Sequence, residues 1–219
     1  MGKAVGELRC AMERVIVMAN VFEVAKFVLD NRDRTTAWQL QKLCYYSKAW
    51  GLAIGGNPIF DEQFEAWANG PVCRRLYFRH QGKKYIPQNL FSEYSSERIS
   101  EYGKAIILAV LRKYGSMSGD ELSELSHSEL PWQNARKGVS DGQSCEEVIA
   151  DEQMKAYYSS KSADSEEIEN SMLYYMAESR ISSNHNTVSF EEMMARFGIS
   201  ADDLGDDDVE FEIEPLVLG

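Results

Sequence analysis

Residues 36–50 read TAWQLQKLCYYSKAW. Leu40, Leu43, Cys44, Ser47, Trp50 and then Ile54 recur at the 3.6-residue period, which predicts a helix with one apolar face along its whole length. Thr35 or Thr36 can cap its start, and Gly55 with Gly56 marks its end. Such a stripe is a core face. Trp38, Tyr45, Tyr46 and Trp50 share this helix and cannot all lie on one stripe, so some of these rings face a second packing layer or a partner.

Working outward, Val21, Val24, Ala25, Val28 and Leu29 predict a short helix before it, with a polar break over 31–34. After it, Ile59, Phe60, Phe64, Ala66 and Trp67 read as short extended pieces closed by the turn Asn69-Gly70-Pro71. Residues 72–79 should be helical, and a loop rich in Gly, Lys, Pro and Asn runs from 81 to about 89. Ser95 or Ser96 can cap the longest amphipathic helix, with Ile99, Tyr102, Ile106, Ala109, Val110 and Lys113 on successive turns and Gly115 after its end, which predicts the central helix. Ser118 with Glu121 and Ser144 with Glu147 form two capping boxes, each of which predicts a short helix. The fold class that follows is mainly α: a compact helical domain with a small β element, then a helical and extended C-terminal arm.

The chain has 219 residues, 44% hydrophobic and 26% charged, enough to bury a core without disulfides or metal. Its longest uncharged stretch, residues 49–60, is 12 residues long and holds three glycines and a proline, too short for a membrane span. The net charge of −12 is unevenly spread. From Asp164 onward 15 acidic residues face only Arg180 and Arg196, which leaves residues 1–163 with 20 acids and 21 bases. An acidic arm therefore follows a near-neutral body, and a basic protein surface suits it better than DNA or anionic lipid does. The domain boundaries read as 1–17, an N-terminal extension; 18–160, the helical domain; and 161–219, the acidic arm. Within the arm, residues 166–180 suit a helix, a capping box of Ser189 with Glu192 opens another, and Val209, Phe211 and Ile213 alternate with glutamates as in a half-exposed strand.

Cys10, Cys44, Cys73 and Cys145 lie 34, 29 and 72 residues apart, with no zinc spacing, so reduced thiols and a cytoplasmic location are expected. Charges interrupt the N-terminus, which does not read as a secretory signal. No Gly-rich phosphate loop, HExxH, GxSxG or EF-hand series is present, and no cofactor, metal or enzyme activity is predicted. His127 lacks a paired nucleophile or metal-ligand neighbour and reads as structural; an unfamiliar catalytic site around His127 with Asp120 or Glu129 is the weaker alternative. The run Arg74, Arg75, Arg79, His80, Lys83 and Lys84 beside Tyr77, Phe78 and Tyr85 is the one nucleic-acid-like footprint, and on a neutral body it reads as a protein or solvent surface.

Residues 36–50, then Asn57-Pro58-Ile59-Phe60, residues 64–72 (FEAWANGPV), and His127 with Pro131-Trp132 together resemble the Panacea domain family of SocA-like antitoxins. The family's order of a Leu-Gln-Lys-Leu-x-Tyr-Tyr helix, a Pro-[IL]-Phe segment, a Trp-x-x-Gly-Pro-Val turn and a His…Pro-Trp element is kept across about residues 18–160. The motif positions are Leu40, Gln41, Lys42, Leu43, Tyr45, Tyr46, Trp67, Gly70, Pro71, Val72, His127, Pro131 and Trp132.

That resemblance implies an antitoxin of a bacterial or phage toxin–antitoxin pair, which binds and neutralises a toxin encoded next to it. The alternative it carries is an adaptor that delivers the toxin to a protease; a nucleic-acid-binding regulator is less favoured. The tail, through residues 177–181, 188–194 and 197–199 and the acidic end, resembles the toxin-embracing segments of RelB-type and Phd-type antitoxins. Its expected toxin-binding anchors are Tyr175, Met176, Phe190, Met193, Phe197, Val209, Phe211 and Ile213.

Overall fold

The computed structural model describes residues 18–140 and 142–182. Asn20 starts the first helix, α1 (Val21–Asp30): its side chain accepts from the amides of Phe22 and Glu23, and Glu23 reaches back to the Asn20 amide. Helix α2 (Ala37–Gly55) carries the opening motif. Thr36, rather than Thr35, is its cap, completed by Gln39, and Gly56 closes it at φ +75°, in the left-handed region that glycine adopts without penalty.

The sequence predicts that the 99–113 helix is central; the structure gives that place to α2. Residues 40–52 of α2 are buried without a break. They are wrapped by α1, by a two-stranded hairpin, and by helices α4 (Glu101–Tyr114), α5 (Gly119–His127) and α7 (Asp151–Ser159). The amphipathic stripe therefore understates its burial: Tyr45 and Tyr46, which leave the stripe, face a second core layer and not a partner. Tyr46 stacks on Tyr114 at 4.3 Å, and Trp50 meets Tyr158 at 5.2 Å while its Nε1 donates to the Tyr114 hydroxyl at 3.1 Å.

Strands β1 (Glu65–Trp67) and β2 (Gly70–Val72) pair antiparallel, with Glu65 opposite Val72 and Trp67 opposite Gly70. Helix α3 (Arg74–His80) follows directly. The returning strand begins at Gly70, so the Gly-Pro pair sits in the hairpin itself and the helix expected from residue 72 starts two residues later. On its other side β1 is held by residues 147–149: Ala66 donates to the Glu147 carbonyl at 2.9 Å and Ile149 donates to the Phe64 carbonyl at 2.8 Å. This pairing explains why the expected Ser144–Glu147 capping box does not open a helix. The backbone there is engaged at the sheet edge, and α7 starts only at Asp151.

Ser95 caps a 3-10 turn (Ser96–Arg98), and Ser100 caps α4, so the predicted long helix is broken at Ile99. The Ser118–Glu121 box opens α5 as expected. Helix α6 (Leu130–Ala135) is short, with Pro131 in its first turn, where a missing amide costs nothing. Helix α8 (Ser162–Ser182) lays Ile168, Ser171 and Met172 into the core. Lys113 on α4 pairs with Asp164 at 2.9 Å and with Glu167. The chain divides into a compact unit ending at Ser179 and a second unit from Arg180, of which residues 180–182 are described.

The described chain is thus mainly α with one small hairpin, as expected. No helix among the described residues is long and apolar enough to cross a membrane. Leu43 is fully buried in α2, whereas Trp38 on the first turn of the same helix is 44% exposed. Leu43→Ala should therefore cost about 2–5 kcal/mol in chemical denaturation, and Trp38→Ala less than about 1 kcal/mol.

Candidate functional site

Four polar residues sit in the buried length of α2, and each has a structural partner. Gln41 accepts from the Cys73 amide at 2.9 Å, donates to the Cys73 carbonyl at 3.3 Å, and meets His80 Nε2 at 2.9 Å. Lys42 Nζ donates to the carbonyls of Asn69 at 2.7 Å and Pro71 at 3.3 Å. Ser47 bonds back to the Leu43 carbonyl, and Lys48 Nζ pairs with Asp151 at 2.9 Å while donating to the Glu62 carbonyl at 3.0 Å. Gln41, Lys42 and Lys48 thereby fasten the segment 61–73 to the central helix.

Burial pushes the Lys42 ammonium down to about 7. Gly70 lies against this lysine at φ +94°, and a Cβ there would stand 2.7 Å from both Lys42 Cε and Ser126 Oγ. The position excludes side chains by conformation and by space.

The remaining motif residues brace the other side of the hairpin. Trp132 Nε1 donates to the Trp67 carbonyl at 3.0 Å, and the His127 ring stacks on Trp132 at 4.1 Å. Arg136, buried, donates to the carbonyls of Ala66 at 2.8 Å and Gln143 at 2.7 Å. Leu40, Leu43, Tyr45 and Tyr46 are in the core, and Pro71 and Val72 are buried in β2.

Glu129, between α5 and α6, is buried beneath the tyrosine cluster. The hydroxyls of Tyr158 and Tyr46 donate to its Oε2 at 2.6 Å and 3.3 Å. Desolvation raises this carboxyl to about 7 although both phenols favour its charge. Asp120, in contrast, is exposed on the first turn of α5. Among the described residues no cluster of His, Cys, Asp and Glu could hold a metal ion. Cys44, Cys73 and Cys145 are free and buried.

The basic run divides into two parts. Arg74 pairs with Glu65 at 2.7 Å and Glu146 at 2.8 Å, Arg75 with Glu62 at 2.5 Å, and Arg79 with Glu93. Lys83 and Lys84 form no ion pair among the described residues. They border a cleft of about 620 Å³ whose walls include Trp38, Trp67 and Tyr77. The sequence marks parts of this cleft, Trp38 off the apolar stripe and Tyr77, His80, Lys83 and Lys84 within the basic run, but does not bring them together with Trp67.

On the arm, Tyr175 and Met176 are half-buried and pack against the core. Phe190, Met193, Phe197, Val209, Phe211 and Ile213, with the Ser189–Glu192 box, lie outside the described residues. Helix α8 also turns large apolar groups outward: Leu173 is 59% and Tyr174 52% exposed, on the side opposite Ile168 and Met172 at 100° per residue.

Glu129 generates a prediction. Its carboxyl is raised in the folded state above the ordinary value near 4.5, so between about pH 4.5 and 7 the folded protein holds a proton that the unfolded chain has released. This contribution to stability is complete below that window and is lost as pH rises through it. Glu129→Gln keeps an amide in place of the acid and should flatten the fall, measured as the unfolding midpoint in urea from pH 4.5 to 7.5.

Neither the curated proteins nor the solved structures include a match to the chain. Residues 40–133 match the family model described as Antitoxin SocA-like, Panacea domain. The matched stretch begins on the buried stripe of α2, takes in the hairpin and α3 to α5, and ends beside Trp132. Over these 94 of its 219 residues the chain is similar to the Panacea domain of SocA-like antitoxins.

Proposed function

We propose that this chain is the antitoxin of a toxin–antitoxin pair and neutralises a toxin encoded beside it by direct protein–protein binding, with α8 and the acidic segment beyond it as the contacting arm. The family match supports an antitoxin role in general. The observation that carries the arm assignment is the double-faced character of α8. One face is occupied by the body through Ile168 and Met172, and Leu173 and Tyr174 remain exposed on the other. Large apolar groups side by side on an otherwise acidic surface suit the centre of a protein interface, where aromatic anchors supply most of the binding energy.

The anchors are Leu173 and Tyr174 on the outer face of α8 and Phe190, Met193, Phe197, Val209, Phe211 and Ile213 farther along the chain; Tyr175 and Met176 pack on the body's core and are at most half available to a partner. The carboxylates of the arm, 15 against two arginines from Asp164 onward, would steer it to a basic toxin surface. The arginines of the 74–79 helix are occupied by carboxylates of this same chain, which argues against the nucleic-acid reading.

Co-expression with the product of the neighbouring reading frame tests the proposal. The double variant Leu173→Asp, Tyr174→Ser should melt within a degree or two of the parent, because both side chains are exposed, yet lose toxin affinity by about tenfold or more. Full protection by this variant and by a chain ending at Ser182 would place the toxin contact elsewhere on the body. A neighbour that is harmless when expressed alone would remove the antitoxin reading itself.

A further inference from the structure

The cleft beside α2 is built from five places in the chain: the first turns of α2, the hairpin, α3, the loop at 81–84 and the segment 142–146. Its volume of about 620 Å³ falls in the range that encloses a small organic ligand, roughly 300–1,000 Å³. Its aromatic walls are held in place. Trp67 donates through Nε1 to Glu65 at 2.7 Å and meets Tyr77 edge-on at 4.9 Å, whereas Trp38 leaves nearly half of its surface open to solvent.

The charges of the cleft are one-sided. Among the described residues that line it, Glu146 is the single carboxylate, and Arg74 pairs with it at 2.8 Å. Lys83 and Lys84 contribute two ammonium groups without an ion pair among the described residues, and the buried Lys42 also lines the cleft. No arginine is among the described residues that line the cleft. Carboxylates are bound best by the planar fork of arginine, whereas lysine serves phosphate as a point charge. Exposed indole and phenol faces accept flat heterocycles by stacking whatever their substitution.

From this juxtaposition we infer that the cleft is a binding site for a small phosphate ester carrying a flat ring, of the size of a nucleoside monophosphate, with the ring against Trp38, Trp67 and Tyr77 and the phosphate at Lys83 and Lys84. The site uses residues of the body that the toxin-binding proposal leaves unassigned, and it requires no partner protein.

The full chain is titrated with AMP, GMP and UMP, with adenosine and inorganic phosphate as partial probes, and read by tryptophan fluorescence and by the ligand-dependent rise of Tm. At least one nucleoside monophosphate should bind about tenfold or more tighter than either partial probe, and should bind more weakly as salt is raised. Lys83→Ala with Lys84→Ala, and separately Trp38→Ala, should each weaken that binding by about tenfold while leaving the Tm of the unliganded protein unchanged. Absence of any response to the three monophosphates at millimolar concentration overturns the inference. So does binding that neither variant weakens, or tighter binding of an acidic aromatic peptide such as Glu-Phe-Glu, which would mark a peptide groove.

Discussion

The structure depends on α2 supplying hydrogen bonds to the backbone of a neighbouring segment. The stretch from Asp61 to Cys73 crosses the buried face of the central helix, and its hairpin can satisfy only part of its own amides and carbonyls. Gln41, Lys42 and Lys48 complete the pairing through the carbonyls of Asp61, Glu62, Asn69, Pro71 and Cys73 and the amide of Cys73. Each such group left unpaired in the interior would cost about 1–3 kcal/mol. A helix with leucines in these places would be a better apolar surface and a worse partner for the hairpin. This accounts for Gln41, Lys42 and Lys48 within residues 40–52, a stretch of the helix that is buried without a break.

The two buried lysines solve the same problem in different ways. Lys48 meets Asp151 and keeps a full ion pair. Lys42 donates to the carbonyl oxygens of Asn69 and Pro71, with Gly70 pressed against its end. The hairpin turn closes over Lys42, whose two acceptors lie on either side of Gly70, the residue paired with Trp67. Trp132 and Arg136 then hold the hairpin from the far side. The separated motif pieces of the chain are therefore one assembly, and Glu129 with its tyrosines ties the same assembly to α7.

The parts readable from sequence were those with local causes. The Thr36 cap, the Gly56 terminus, the stripe of α2 and the Ser118–Glu121 box depend on neighbours within a few residues, and they appear where the periodicity and capping chemistry place them. The parts misread had distant causes. The Ser144–Glu147 pair has the local signature of a helix start, but β1 takes the backbone at 147–149 for sheet pairing, and a long-range hydrogen bond outweighs a cap. The rank of α2 over α4 was hidden because buried polar residues look like a solvated face until their partners are known. The cleft was hidden for a related reason: the basic run places Tyr77 near Lys83, but Trp38 and Trp67 come from other elements and no spacing in the chain relates them to that run. The basic run was legible as charge but not as ion pairs, since its carboxylate partners Glu62, Glu65, Glu93 and Glu146 are scattered across 84 positions of sequence.

Native-state hydrogen exchange at the Cys73 amide tests this account most directly, because that N–H donates to a side chain of α2, Gln41 Oε1, at 2.9 Å. If the central helix holds the hairpin as described, the Cys73 amide should exchange only through global unfolding, with the same protection as the amides in the middle of α2. Gln41→Leu should then reduce that protection selectively. Exchange of Cys73 in the parent protein as rapid as that of the exposed loop at 81–84 would contradict it, and would show that the hairpin is held by something other than the polar side chains of α2.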